Sequence, residues 1–141
     1  MSDRPAVFVD TGPWIALVDA RDQWHEPAVK MMNRLRAEQQ LLVTSNLVLM
    51  EVYMGLVGRI QRSAIARLRA SIHASSLTHL ERVDSLTEEL AWDVFMRYDD
   101  KDLSLIDCTS FVIMEQLGLT QAFTFDRHFA QVGIQTLPRL K

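Results

Sequence analysis

A chain of 141 residues with 48% hydrophobic content suffices for one globular domain, residues 1–141, with a sizeable core. No apolar run nears the ~20 residues that span a bilayer, and Asp3 and Arg4 ahead of a very short apolar run do not make a leader sequence, so a cytoplasmic location is expected. The net charge of −3 argues against a general nucleic-acid binder, and the lone Cys108 excludes an internal disulfide and a thiolate metal site.

Ala6-Val7-Phe8-Val9 reads as a buried strand that stops at Asp10 and the turn residues Thr11 and Gly12. An acid at the carboxyl end of a strand faces the crevice where ligands collect in open α/β sheets. The alternative for Asp10 is a cap on the turn and helix that follow. Trp14 to Val18 read as the first turns of that helix, broken by the polar stretch 19–23. A second helix starts near Pro27, with Ala28, Met31, Met32 and Leu35 at helical spacing, and runs to about Glu38. His25 reads as a helix-start or packing residue. Residues 41–44 form the second strand, after which Ser45 or Asn46 can cap a helix over residues 47–57. Glu51 is the only charged residue between Gln39 and Gly58. That helix is apolar on nearly every side and should be buried by the domain, by a partner or by both. Glu51 is then protonated, paired, cation-bound or satisfied at a rim.

A further helix is expected over residues 59–71, where Arg59, Arg62 and Arg69 fall within about 80° of one another and form a solvated or phosphate-contacting face. Residues 78–83 read as a third strand. Ser85 and Glu88 have capping-box spacing ahead of a helix to about Tyr98. The acidic stretch 99–102 is a loop in which Asp102 is a further candidate ligand. Ser104 and Asp107 repeat the capping-box spacing before a helix that Gly118 ends. Residues 121–125 form a strand that stops at Asp126, and a last strand lies near residues 134–137. Cys108 reads as a small buried residue, since no paired histidine adjoins it.

Strands alternating with helices imply βαβ crossovers and a mainly parallel sheet, with strand ends on one side. Asp10 and Asp126 are strand-end acids, and Glu51 and Asp107 lie in early turns of helices leaving that side. Four carboxylates can therefore converge, and a hard divalent ion, Mg²⁺ or Mn²⁺ rather than zinc, is the natural counter-charge. Such a site activates water and stabilises a leaving oxygen, which is phosphodiester hydrolysis.

The segments Val9-Asp10-Thr11, Leu49-Met50-Glu51-Val52, Leu103-Ser104-Leu105-Ile106-Asp107 and Phe123-Thr124-Phe125-Asp126-Arg127-His128-Phe129 resemble those of PIN-domain ribonucleases, with VapC-type toxins of toxin–antitoxin modules nearest in pattern. The resemblance covers essentially the whole chain. It implies a three-layer α/β/α sandwich with a mostly parallel sheet, metal-dependent endoribonuclease activity, homodimerisation and neutralisation by a cognate antitoxin. By position it makes Asp10, Glu51, Asp107 and Asp126 the catalytic and metal-binding acids, with Thr11, Ser104 and Thr124 orienting carboxylates or water. Arg59, Arg62 and Arg127 are candidates for holding the RNA backbone, and an antitoxin segment is expected on the 47–57 helix. Asp10-Thr11-Gly12 also matches the aspartic-protease triplet, but that fold is nearly all β. A haloacid-dehalogenase-like phosphatase wants an acid at position 12, which is Gly. Two alternatives remain: a PIN-fold scaffold whose acids are structural caps, and a PIN nuclease of RNA processing without an antitoxin.

Overall fold

A computed structural model describes residues 6–140; Asp3 and Arg4 lie outside them. The strands β1 (Ala6–Val9), β2 (Leu41–Ser45), β3 (Thr78–Glu81), β4 (Gln121–Phe123) and β5 (Gln135–Leu137) form one sheet in the order β3-β2-β1-β4-β5, every pair parallel. Parallel neighbours need crossovers, and seven helices among the described residues supply them. These are α1 (Thr11–Val18), α2 (His25–Ala37), α3 (Asn46–Leu56), α4 (Arg62–Ala74), α5 (Ser85–Arg97), α6 (Leu105–Leu117) and α7 (Arg127–Gln131). The result is the three-layer α/β/α sandwich.

The chain lays β2 and β3 to one side of β1, then returns through α5 and α6 to place β4 and β5 on the other. The order therefore reverses between β1 and β4, and the crevice beyond their carboxyl ends is where such sheets bind ligands. Val7, Phe8 and Val9 are fully buried because a central parallel strand is covered on both faces. Phe111 of α6 meets Phe129 of α7 edge-on at 4.9 Å between centroids. The buried Trp14 Nε1 donates to Thr44 Oγ1 (3.3 Å), whose hydroxyl donates to the Val9 carbonyl (3.0 Å), so α1 is anchored without orphaned polar atoms there. His25 Nδ1 lies 2.7 Å from the Ala16 carbonyl and ties α2 to α1, in keeping with a packing role. Gly55 lets α3 approach α1: a Cβ there would come within 2.9 Å of Ile15 Cδ1.

Several boundaries differ from the sequence reading. The helix expected from residue 59 begins at Arg62, because Gly58 at φ 85° turns the chain and the amides of Arg59 and Ile60 both close on the Leu56 carbonyl. Arg59 is thus not on one helical face with Arg62 and Arg69. The cap of α5 is Asp84 rather than Ser85, with its carboxylate accepting the Thr87 amide at 2.9 Å. Ser45 caps α3 by accepting the Val48 amide, while Asn46 Oδ1 accepts the Val83 amide (2.7 Å) and ends β3 early. β4 stops at Phe123, and the short helix α7 was not expected. Only one side of α3 is buried, through Val48, Leu49, Val52 and Leu56; Met50, Met54 and Val57 are more than half exposed.

Gly118 closes α6 at φ 68°, where the Leu119 amide returns to the Met114 carbonyl at 2.8 Å. That backbone region is costly for any residue with a Cβ. Gly118→Ala should lower folding stability by about 1 kcal/mol. Equilibrium urea denaturation of the two proteins measures it.

Candidate active site

An open cleft of about 420 Å³ lies at the carboxyl edge of the sheet, and Asp10, Glu51, Asp107 and Asp126 all line it. Asp10 follows β1 directly and occupies the N-cap position of α1, yet its side chain makes no capping hydrogen bond. Instead its Oδ2 accepts the Thr124 hydroxyl at 2.9 Å, and its amide donates to the Phe123 carbonyl at 3.0 Å. Both contacts come from the neighbouring strand segment across the switch point. Thr124 Oγ1 also accepts the Asp126 amide (3.0 Å), so one buried hydroxyl positions both acids.

Asp107 does form the expected capping box: Ser104 Oγ accepts its amide at 3.0 Å, and its Oδ2 accepts the Ser104 amide at 3.2 Å. Asp126 lies three residues beyond β4 rather than at its end, and caps α7 through the His128 amide at 2.9 Å. The His128 ring Nδ1 stands 2.9 Å from the same Oδ1. Among the described residues the tightest potential ligand group is Asp107, Asp126 and His128, with ligand atoms within 4.8 Å of one another; Asp10 and Glu51 line the cleft outside that group. His128 was quoted in the sequence motif but not singled out; its position two residues after a capping Asp was the available signal.

The electrostatics follow from crowding. Burial pushes the Asp10 carboxyl up to about 7 and the Asp107 charge adds to this, while bonds from the Thr11 backbone and the Thr124 hydroxyl hold it down. Asp107 is also raised, chiefly by burial, with Asp126 and Glu51 adding repulsion against the opposing Ser104 bonds. Burial, helped by Asp107, lifts the Cys108 thiol to about 11, so it is an inert core residue.

The other candidates sort by position. Thr11 and Ser104 line the cleft, and the buried Thr11 Oγ1 has no hydrogen-bond partner. Arg59 lines it too, but its guanidinium is engaged by Asp19 (3.5 Å) and Asp22 (3.4 Å). Arg62 and Arg127 are exposed, and neither lines the cleft. Asp102 is exposed and also lies outside it, which removes it as a candidate: its loop turns before Ser104 brings the chain to the site. Five cleft-lining residues were not among the sequence candidates, Gly12, Ile15, Asp22, Trp24 and Phe125, of which the last three bring charged or aromatic groups. These residues fit a hard divalent cation: several carboxylates, two with raised affinity for protons, and an orphaned hydroxyl beside them that a hydrated ion would satisfy.

Comparison with known proteins places this geometry. A family model for the PIN domain matches residues 7–135. The 23S rRNA-specific endonuclease VapC20 of Mycobacterium tuberculosis, in two strains, is 35% identical over 128 residues, covering 90% of this chain and 94% of the relative. The crystal structure of that protein, described as a sarcin–ricin loop cleaving toxin, superposes with a TM-score of 0.80 over 92% of this chain and 96% of the other. A structure of FitAB bound to an IR36 DNA fragment shares the fold at TM-score 0.66 and 16% identity, over 96% and 97% of the two chains.

The raised Asp10 carboxyl has a consequence for metal-free stability. In the unfolded chain this group ionises near 3.8 and in the folded chain near 7, so between those values the folded state holds the extra proton. Stability therefore falls as pH rises through that window, by at most about 4 kcal/mol. In chelator, the wild type should melt higher at about pH 5 than at about pH 7.5, and Asp10→Asn should flatten that difference. Mn²⁺ at the higher pH should raise the wild-type melting temperature more than the variant's. Identical pH slopes in the two proteins would assign the strain to another group.

Proposed function

The chain belongs to the PIN-domain family, and from that premise we propose that it is a divalent-metal-dependent endoribonuclease, the toxin of a toxin–antitoxin pair. The observation that carries the reading is the cleft at the switch point, where Asp10, Glu51, Asp107 and Asp126 are gathered from four separate parts of the chain. These acids would hold Mg²⁺ or Mn²⁺, which would supply an activated water and stabilise the negative charge that develops on the phosphoryl oxygens and the leaving oxygen. The protein's part is to fix the carboxylates. Thr124 sets the rotation of Asp10, the Ser104 box sets Asp107, and the His128 amide and ring hold Asp126. Arg59, Arg62 and Arg127 are the cationic groups proposed to meet the RNA backbone outside the acid cluster.

The substrate proposed is a single-stranded or looped RNA, because the deep, narrow major groove of an A-form duplex shuts side chains out, whereas unpaired bases can be splayed and contacted. The loop cut by the VapC20 relative is the first to test. A cytoplasmic site of action accords with the described residues, in which no helix is long and apolar enough to cross a membrane.

The cleavage test uses an RNA hairpin carrying the sarcin–ricin loop together with unstructured RNA oligonucleotides. Cleavage should require Mg²⁺ or Mn²⁺ and stop in excess chelator. Asp10→Asn should lose more than about 100-fold in activity, since even residues that only orient metal ligands cost 10–100-fold. Thr124→Val keeps the side-chain shape and removes the hydroxyl, and should weaken Mn²⁺ binding by about 10- to 100-fold. Undiminished cleavage in chelator overturns the metal assignment.

A protein partner is proposed for α3. Met50, Met54 and Val57 recur at i, i+4 and i+7, so they share one exposed apolar face. An antitoxin segment covering that face is the occupant, with a homodimer formed through other helices, such as α5, where Trp92 and Met96 are exposed. Met54→Asp should weaken binding of a co-encoded antitoxin by about 10-fold or more and leave the melting temperature nearly unchanged. Calorimetric titration of the purified pair measures both partners' contributions, and unchanged affinity would move the interface elsewhere.

A further inference from the structure

Trp24 is the cleft residue that metal chemistry leaves unexplained. Its indole stacks on Phe125 with centroids 4.9 Å apart and planes only 9° from parallel. Phe125 in turn stands edge-on to the fully buried Phe123 at 6.0 Å. One face of the indole is thus backed by a ring stack rooted in β4, yet the residue is still 40% exposed. The segment carrying it is fixed as well: Asp22 Oδ1 accepts the Trp24 amide at 2.8 Å, and the other Asp22 oxygen meets Arg59. Both Trp24 and Phe125 line the acid cleft, and Phe125 immediately precedes Asp126.

A single exposed aromatic needs no explanation, but a supported, parallel-stacked pair on the wall of a carboxylate cleft does. The cleft repels phosphate until its charge is met, and Arg59, the cation on its lining, is shared with Asp19 and Asp22. Attraction for a polyanion must then come partly from something other than charge. An open indole face offers it, because base stacking is insensitive to the base's identity and to the acids nearby.

We propose that Trp24, backed by Phe125, is a stacking platform for one unpaired base of the RNA substrate, holding that nucleotide beside the bond to be cut. The proposal rests on the endoribonuclease reading. Trp24 is a positioning residue: it touches a base next to the scissile bond and leaves the carboxylates as they are. A flat π surface, rather than apolar bulk, is what the role demands.

The test measures kcat and KM for the wild type, Trp24→Leu and Trp24→Phe on the RNA substrates above, with melting in chelator alongside. It repeats the kinetics on hairpins in which single loop positions are made abasic. Trp24→Leu should raise KM by about 5- to 100-fold, the effect of losing one base–aromatic stack, while kcat changes far less. Trp24→Phe should recover most of the loss, and all three proteins should melt alike. One abasic position should weaken the wild type by a similar factor and Trp24→Leu hardly further, since the two losses remove the same contact. Equal kcat/KM for Trp24→Leu and an active wild type overturns the platform and leaves the nuclease reading standing. Equal loss in the Leu and Phe variants with lowered melting assigns Trp24 a structural role and overturns it too. A wild type that neither binds nor cuts RNA removes both readings.

Discussion

A carboxylate at the end of the central strand is the constraint on which the site depends. β1 has a strand hydrogen-bonded on each side, so the residue that follows it cannot reach bulk water easily, and Asp10 is almost wholly buried. Bonds from the Thr11 backbone and the Thr124 hydroxyl do not replace the hydration that is lost, and the Asp10 carboxyl rises to about 7. The charges of Asp107 and, to a lesser degree, Asp126 make this worse. The fold without a cation therefore carries electrostatic strain at Asp10 and Asp107, which the proposed divalent ion would relieve and convert into binding affinity.

The opposite wall is built by charges that are satisfied. Asp19 ends α1, accepts the Arg21 amide at 3.1 Å and lies 3.5 Å from Arg59; its carboxyl is held below its usual range, first by that amide and then by the two guanidinium groups. Arg21 in turn donates to the Arg59 carbonyl at 2.7 Å. The loop after α1 and the turn after α3 are thereby joined, although they lie far apart in sequence. Since the arginine side of each pair is about half exposed or more, their worth is less in stability than in placement. They fix Asp22, and through its bond to the Trp24 amide they fix the indole over Phe125.

Much of this was legible in the sequence, and the failures have specific causes. Apolar strands that stop at an acid, with intervening helical periodicity, were enough for a parallel sheet with acids on one edge. The strand order that puts β4 beside β1 is a tertiary fact that no local pattern carries. Glu51 stood out because no other charge lies near it in sequence. Trp24 did not, because an aromatic in a polar loop has no periodicity, and its partner Phe125 read as part of a strand. Arg59 was placed on a helix by angular arithmetic, but Gly58 breaks the helix first and two acids from another loop compete for the guanidinium. Apolarity all round α3 left open whether the domain or a partner buries it; the domain covers Val48, Leu49, Val52 and Leu56 and leaves Met50, Met54 and Val57 exposed.

For each strand-end or helix-start acid, the sequence posed a choice between cap and ligand. For two of them the structure shows the cap, and the cap is compatible with the proposed ligand role. Asp107 and Asp126 each spend one carboxylate oxygen on the amides at the start of a helix. A carboxylate has several lone-pair sites, so a cap leaves acceptor capacity to spare, and the cap also locks the rotamer that a ligand needs. At Asp107 the Ser104 bonds also favour the ionised form, against burial and the repulsion of neighbouring acids. Asp10 is the exception: it sits at the N-cap position without making the capping bond and is held by Thr124 from the next strand. Where a cap holds the carboxylate, folding fixes its rotamer, and the proposed ion would meet side chains already ordered. The acid without that support is the one whose carboxyl burial shifts furthest.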